Sequence, residues 1–460
     1  MPQQRSLLRA ELGPLLRLAL PLAVAQAGQA LMGVVDTAVV GRAGAQQLAG
    51  AGLGNALFMA LAIFGMGVML GIDPLISQAI GAGEAPRARR VLWQGMWLAC
   101  VISVVLAVPF ALAPRALVPL GIDPAVAAEA SRYLWWRLPG LPFLLAFMAG
   151  RAYLQALGSV RPMVVATVVA NVANLPLDVL FVFGGAALPP AAWPLTAAPA
   201  MGAGGAALAS SLVSVLQLGI LALAIRATRL DGGPVPVGAD PREIARAVRV
   251  GLPVGLHMGA EVGIFALVGF LAARLGAIPL AAHQLAISMA SLTFTVAVGI
   301  GNAGSVRVGW AVGARDREGA RRAGLAAFGA GAAFMSLGAL AFFLFPAQIA
   351  RLMTDDPALI AAAVPLLRVA AVFQISDGVQ GVGAGVLRGA GETRFTFAAN
   401  MAGHWALGFP AAVLLGFAAD MGVVGLWWGF VLGLSAVGAA LLVRFLRVSG
   451  REIVPVVERA

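Results

Sequence analysis

The chain has 460 residues, 60% of them hydrophobic and only 11% charged, a composition that excludes an ordinary water-soluble globular protein. Its 31 positive charges are all arginine, set against 20 acids for a net charge of +11, and a single cysteine excludes any disulfide within the chain. The arginines alternate with apolar runs and form no single basic face, so the charge does not point to nucleic acid.

Twelve apolar runs follow in chain order, near 15–40, 48–72, 91–114, 125–150, 161–185, 202–226, 246–272, 280–304, 320–345, 358–384, 396–418 and 422–446. Runs of this length cross a hydrocarbon core of ~30 Å as helices, and they are too long and uniform for barrel strands. The fold class is an all-α polytopic membrane protein. The first run follows Arg5, Arg9, Glu11 and Arg17 and is too long for the apolar part of a cleavable signal. Cys100, inside the third run, reads as a small buried apolar residue.

With the N-terminus placed inside, 24 arginines fall on the inner side and 7 outside, among them Arg132 and Arg137. This bias places both termini in the cytoplasm and makes anionic lipid headgroups the partner of the basic charge.

The first half returns about 232 positions later. RAGAQQLAGAGLG (42–54) returns as RLGAIPLAAHQLA (274–286), with six of thirteen identical, and AIGAGEAPRARR (79–90) returns as AVGARDREGARR (311–322). LQALGSVR (154–161) matches LRGAGETR (387–394) at a register of 233. Six spans per copy is an even number, so the repeats are parallel, two six-helix lobes around a central cavity. The expected division is an N-lobe at 1–228, a Gly- and Pro-rich cytoplasmic linker at 229–244 and a C-lobe at 245–460. Pro21 and Pro253 occupy equivalent places and read as kinks near the cytoplasmic ends of their helices.

Four acids lie well inside apolar runs: Asp36, Asp178, Glu261 and Asp377. An acid at mid-membrane costs ~2.5–3.5 kcal/mol on insertion scales, and such residues mark ion or substrate pathways. Asp73, by contrast, reads as a cap at the end of the second helix. Asn174 and Asp178 are four apart, on one helix face, with Asn171 one turn back. If that face meets Asp36, two carboxyls share a pocket, and two close acids cannot both ionise cheaply, so the pair takes a proton or a cation. Na⁺ could be held at Asp36 and Asp178, or at Glu261 and Asp377.

In the second half, Gln374, Asp377 and Gln380 share a face, and His257 and Glu261 are four apart, so His257 either exchanges protons with Glu261 or packs. His283 and Gln284 form a polar pair in an apolar run, and His404 beside Trp405 reads as a helix–helix hydrogen bond. Phe265 and Phe373, with Phe270 and Trp405, lie near these acids. An expected substrate cavity lined by His283, Gln284, Gln374, Phe265 and Phe373 would suit lipophilic cations. Nothing supports catalysis: no Gly-Lys-Ser/Thr phosphate loop, no metal-ligand spacing and no nucleophilic triad occurs. The chain is expected to be no enzyme, to need no cofactor beyond a coupling ion, and to act as a monomer.

LALPLAVAQ, GVVDTAVVGRAG around Asp36, DPLISQAIGAG, LAAHQ and VLRGAGETR together resemble the multidrug and toxic compound extrusion (MATE) family, and within it the NorM-type bacterial exporters. The resemblance covers nearly the whole chain. It implies a multi-pass protein of the bacterial inner membrane that exports organic cations and lipophilic drugs in exchange for Na⁺ or H⁺. It also implies a coupling role for Asp36, Asn174 and Asp178 in the N-lobe and for Glu261 and Asp377 in the C-lobe. Aspartate at 178, where NorM-type proteins commonly have asparagine, resembles the DinF branch. The alternative reading, a lipid-linked oligosaccharide flippase of the related superfamily, would favour a cavity lined with several arginines for pyrophosphate, and no intramembrane arginine in the sequence is suited to it.

Overall fold

The computed structural model describes residues 2–185, 195–228, 233 and 235–459, with side chains from residue 11 onward apart from 195. Every regular element among the described residues is a helix. The first half holds α1 (Pro2–Gly41), α2 (Ala45–Met69), α3 (Ile72–Gly81), α4 (Ala85–Leu117), α5 (Pro124–Arg137), α6 (Leu141–Ala156), α7 (Arg161–Phe183) and α8 (Ala203–Ala227). The second holds α9 (Pro241–Arg274), α10 (Ala277–Gly313), α11 (Arg317–Leu344), α12 (Pro346–Arg351) and α13 (Pro357–Gly389). It ends with α14 (Thr393–Asn400), α15 (Phe409–Val413) and α16 (Gly422–Val448).

Eleven stretches among the described residues are long and apolar enough to cross a membrane. The fourth expected run is the one divided, into α5 and α6, by a 3₁₀ turn at Leu138–Gly140. Pro139 and Pro142 cause the break: each lacks an amide hydrogen and sits where a new helix starts. The second run is interrupted at Leu70–Gly71, between α2 and α3. The eleventh carries two π-helical segments, Met401–Gly408 and Leu414–Ala418, on either side of α15.

The outer face of α4 displays Val101, Val104, Val105, Val108 and Leu112, all exposed. That spacing is one helix face, and an aliphatic stripe turned outward belongs against lipid. Cys100 is exposed as well, which corrects its reading as a buried residue.

Two compact units form, and their limits differ from a cut at the linker. One comprises Val24–Ile72 and Ala85–Gly251, the other Met1–Ala23, Asp73–Glu84 and Leu252–Ala460. Pro21 and Pro253 lie inside the unbroken helices α1 and α9, each within two residues of a point where the chain passes from one unit to the other.

In the first unit, α1 closes on α7 at Gly28, where any side chain would overlap the Thr167 Cγ2 methyl. Asn171 Nδ2 seals this contact by donating to the carbonyls of Gly28 at 3.0 Å and Thr167 at 2.9 Å. Asn171 is therefore a tie between helices. Residues 229–232 and 234 of the linker lie outside the described residues, and the rest is fastened to α4. Gln94 Nε2 donates to the Gly238 carbonyl at 2.8 Å and Gln94 Oε1 accepts from the Asp240 amide at 2.7 Å.

In the second unit, Trp427, Phe373, Leu366, Leu367 and Leu434 belong to one buried core. Asp73 is no helix cap. It is buried with Oδ2 3.3 Å from Arg388 Nε, and Arg388 Nη2 donates to Asn302 Oδ1 at 2.7 Å. Arg388 is therefore inside the protein, where an ion pair holds only if its remaining polar atoms are met.

Candidate functional site

The four intramembrane acids fall two to each unit. In the first unit Asp178 and Asn174 are fully buried on α7, 0% exposed. Asp36, near the end of α1, lies close enough to Asp178 for the two carboxyls to interact. Asp36 Oδ2 accepts a hydrogen bond from Ser210 Oγ of α8 at 3.1 Å. Among the described residues no donor meets the other oxygens, Asp36 Oδ1, both of Asp178 and Asn174 Oδ1. Buried oxygens without donors are expensive. This set of hard oxygen ligands fits Na⁺ and fits a proton shared between carboxyls equally well.

The second cluster is built from three helices. On α9, His257 Nε2 lies 3.1 Å from Glu261 Oε2, one helical turn apart. From α13, Gln380 Nε2 donates to Glu261 Oε1 at 3.3 Å. Asp377 is buried one turn from Gln380, and the charge of Glu261 acts on it. Gln374 turns away from this group, donating from Nε2 to Thr293 Oγ1 at 2.7 Å.

His404 joins the cluster, and its sequence context gave no sign of that role. It is buried in the π-helical segment, its Nε2 has no hydrogen-bond partner, and it interacts electrostatically with both Glu261 and His257. The signal available was the crowding of Gly403, Gly408 and Pro410 around it, since widened helical turns recur at functional sites.

The expected aromatic cavity is corrected. His283 is 2% exposed and its Nδ1 accepts from Trp427 Nε1 at 3.2 Å. Phe373 stacks at 5.4 Å on the same tryptophan, and Phe265 lies 4.7 Å from Phe430. These residues are core, because the large rings fill the space between α9, α10, α13 and α16. Gln284 is exposed. Trp405 is partly exposed, its Nε1 donating to the Ala260 carbonyl at 3.3 Å.

Arg137 is a second residue that sequence reading misplaced. Assigned to an outer loop, it is instead buried at the end of α5, its guanidinium 4.5 Å above the Phe58 ring. One such arginine beside two acids is not the pyrophosphate site of a flippase.

The MatE sequence profile matches residues 21–180 and again 253–414. The two matches start 232 positions apart, the offset of the internal repeat. Curated relatives match end to end. A "Probable multidrug resistance protein NorM" of Bradyrhizobium diazoefficiens is 35% identical over 95% of this chain and 94% of its own. The "Multidrug resistance protein MdtK" of Edwardsiella ictaluri is 32% identical over 94% and 95%. Among solved structures, the eukaryotic MATE transporter AtDTX14 superposes with a TM-score of 0.82 over 96% of each chain at 20% identity, a likeness of fold. The doubled profile and the full-length relatives agree with the two-lobe helical fold: the chain belongs to the MatE family, the multidrug and toxic compound extrusion transporters that its motifs resemble.

Proposed function

We propose that this chain is a secondary active multidrug exporter that expels organic cations and lipophilic drugs in exchange for Na⁺ or H⁺ by alternating access. The relatives named multidrug resistance proteins support drug efflux. One observation carries the coupling: each unit holds its own buried acid cluster, one with several oxygens that no protein donor meets, the other drawing together Glu261, Asp377, His257 and His404. A scaffold needs no such groups, and each is costly in a membrane unless an ion visits it. Ion binding can shift the protein between outward- and inward-open states only through different affinity in the two. Pro21 and Pro253, beside the crossings between units, are the places where such helices bend.

In this reading the lobes rock around a central cavity, both termini lie in the cytoplasm, and the protein works as a monomer of the inner membrane. The test uses Asp36→Asn, Glu261→Gln and Asp377→Asn, each expressed in a drug-sensitive host. Each variant is expected to insert and fold but to lose extrusion. Full transport by all three would sink the proposal.

A further inference from the structure

Residues 451–459, which follow α16, fold back over two turns of the second unit. Ile453 and Val456 of this segment are buried. Val456 seats on Gly391, where any side chain would overlap its Cγ2 methyl, and its amide donates to Gln78 Oε1 of α3 at 2.8 Å. Arg459 closes the end of α13. Its Nη2 donates to the Ala390 carbonyl at 2.9 Å, and its Nη1 to the Gly391 carbonyl at 3.2 Å and to Glu392 Oε1 at 2.9 Å. A cation over the last carbonyls of a helix meets acceptors that the helix leaves open. Arg444 of α16 holds the other oxygen of Glu392 at 2.6 Å.

The turn between α10 and α11 is tied in by Arg315, whose Nη2 donates to Glu458 Oε1 at 2.9 Å and whose Nη1 lies 3.6 Å from Glu452 Oε1. Arg315 occupies the place of Gly83, 232 positions earlier, and both are left-handed, with φ 75° at Gly83 and 56° at Arg315. Glycine adopts that backbone freely and arginine does so under strain. The second copy carries the strain and places a guanidinium against the segment. Exposed pairs of this kind are weak alone, so the grip comes from Val456 and Arg459. What they grip includes α3. That helix comes from the first repeat, yet the chain enters the second unit at Asp73 and leaves it after Glu84. Asp73 pins the first turn of α3 to Arg388, and Gln78 joins its middle to Gly389 and Val456.

We propose that residues 451–459 are a strap that fixes α3 to the second unit, so that the bending which transport demands falls on the break between α2 and α3 at Leu70–Gly71. Movements between compact units are absorbed at a few residues between rigid segments. Without the strap, α3 keeps the Asp73 pin and one bond from Gln78, and it loosens toward Glu84.

The transport readout rests on the exporter reading, and amide exchange does not. In a chain stopped after Gly450, hydrogen exchange at residues 78–84 is expected to be about tenfold faster, with the α13 core around Leu366 and Phe373 unchanged. Uphill ethidium export in proteoliposomes is expected to fall about fivefold. A synthetic peptide of residues 449–460, present on both sides of the membrane, is expected to restore both. The same peptide carrying Arg459→Gln is expected to restore neither, a distinction that a role in folding alone would not produce. In the whole chain, Arg459→Gln and Val456→Pro are expected to change both readouts in the same direction by about threefold. Val456 opens a 3₁₀ turn, a position that accepts proline, so its substitution removes the amide donor to Gln78. Unchanged exchange at 78–84, or undiminished uphill export from a chain whose α3 has loosened, overturns the proposal. An unsubstituted protein that moves no ethidium uphill under a Na⁺ or H⁺ gradient overturns the exporter reading instead, and the exchange then decides on the strap.

Discussion

Gln78 of α3 holds two pieces of backbone at once, and removing its amide tests how this segment is fastened. The side chain is buried, its Nε2 donating to the Gly389 carbonyl at 3.0 Å and its Oε1 accepting from the Val456 amide at 2.8 Å. Gln78→Ala leaves a carbonyl and an amide without partners. Water has little access, because α13 meets the Ser305 backbone at Gly389 so closely that no side chain would fit, and Val456 is itself buried. Each orphaned group costs about 1–3 kcal/mol, so the pair costs about 2–6 kcal/mol. That is a large share of the roughly 5–15 kcal/mol that holds a typical protein folded. Hydrogen exchange at the Val456 amide reads the clamp directly, and reversible unfolding in mixed micelles reads its energy. Gln78→Ala is expected to strip protection from Val456 and its neighbours. Gln78→Glu keeps the acceptor and is expected to retain protection at Val456 while losing the Gly389 bond. Unchanged exchange at Val456 in Gln78→Ala, with unfolding energy within about 0.5 kcal/mol, would refute this reasoning.

Gly28→Ala is expected to destabilise the protein by about 1–3 kcal/mol, the usual range for overpacking, because its methyl overlaps Thr167 Cγ2. Thr167→Ser removes that methyl, so the double variant is expected to recover most of the lost melting temperature; no recovery would place the strain elsewhere. His404→Asn is expected to fold and insert yet lose at least tenfold in export rate, since it removes a buried imidazole that interacts with Glu261 and His257. Trp427→Phe serves as the contrast. It breaks the bond to His283 Nδ1, costs about 1 kcal/mol of stability, and leaves export per folded molecule intact.

The membrane fold was legible because hydropathy and repeat spacing are one-dimensional signals. The runs, the 232-residue offset and the acids all survive without knowing which helices touch. Pairing of Asp36 with Asp178 was reachable only as a conditional, since i,i+4 spacing orients α7 but says nothing of where α1 lies. Direction around a helix was the commonest source of error. In uniformly apolar helices no polar face marks the inside, so Cys100 was turned inward and Phe373 and His283 were set on a cavity wall. Charges at helix ends were the second source. Arg137 ends α5 in the middle of the fourth run, Arg388 lies just past the tenth, and both are buried in protein. His404 was missed because the widened turn that carries it has no composition signature beyond scattered glycines. Ser210 was missed because a membrane helix is full of small residues that only pack.

Ion-coupled export is tested most directly by reconstituting the purified protein in liposomes, imposing an inward Na⁺ or H⁺ gradient and following ethidium across the membrane. Antiport predicts uphill ethidium movement that starts with the gradient, stops when an ionophore collapses it, and is absent from Asp36→Asn and Asp377→Asn. Uphill movement under neither gradient, or movement that persists after both are collapsed, would contradict it.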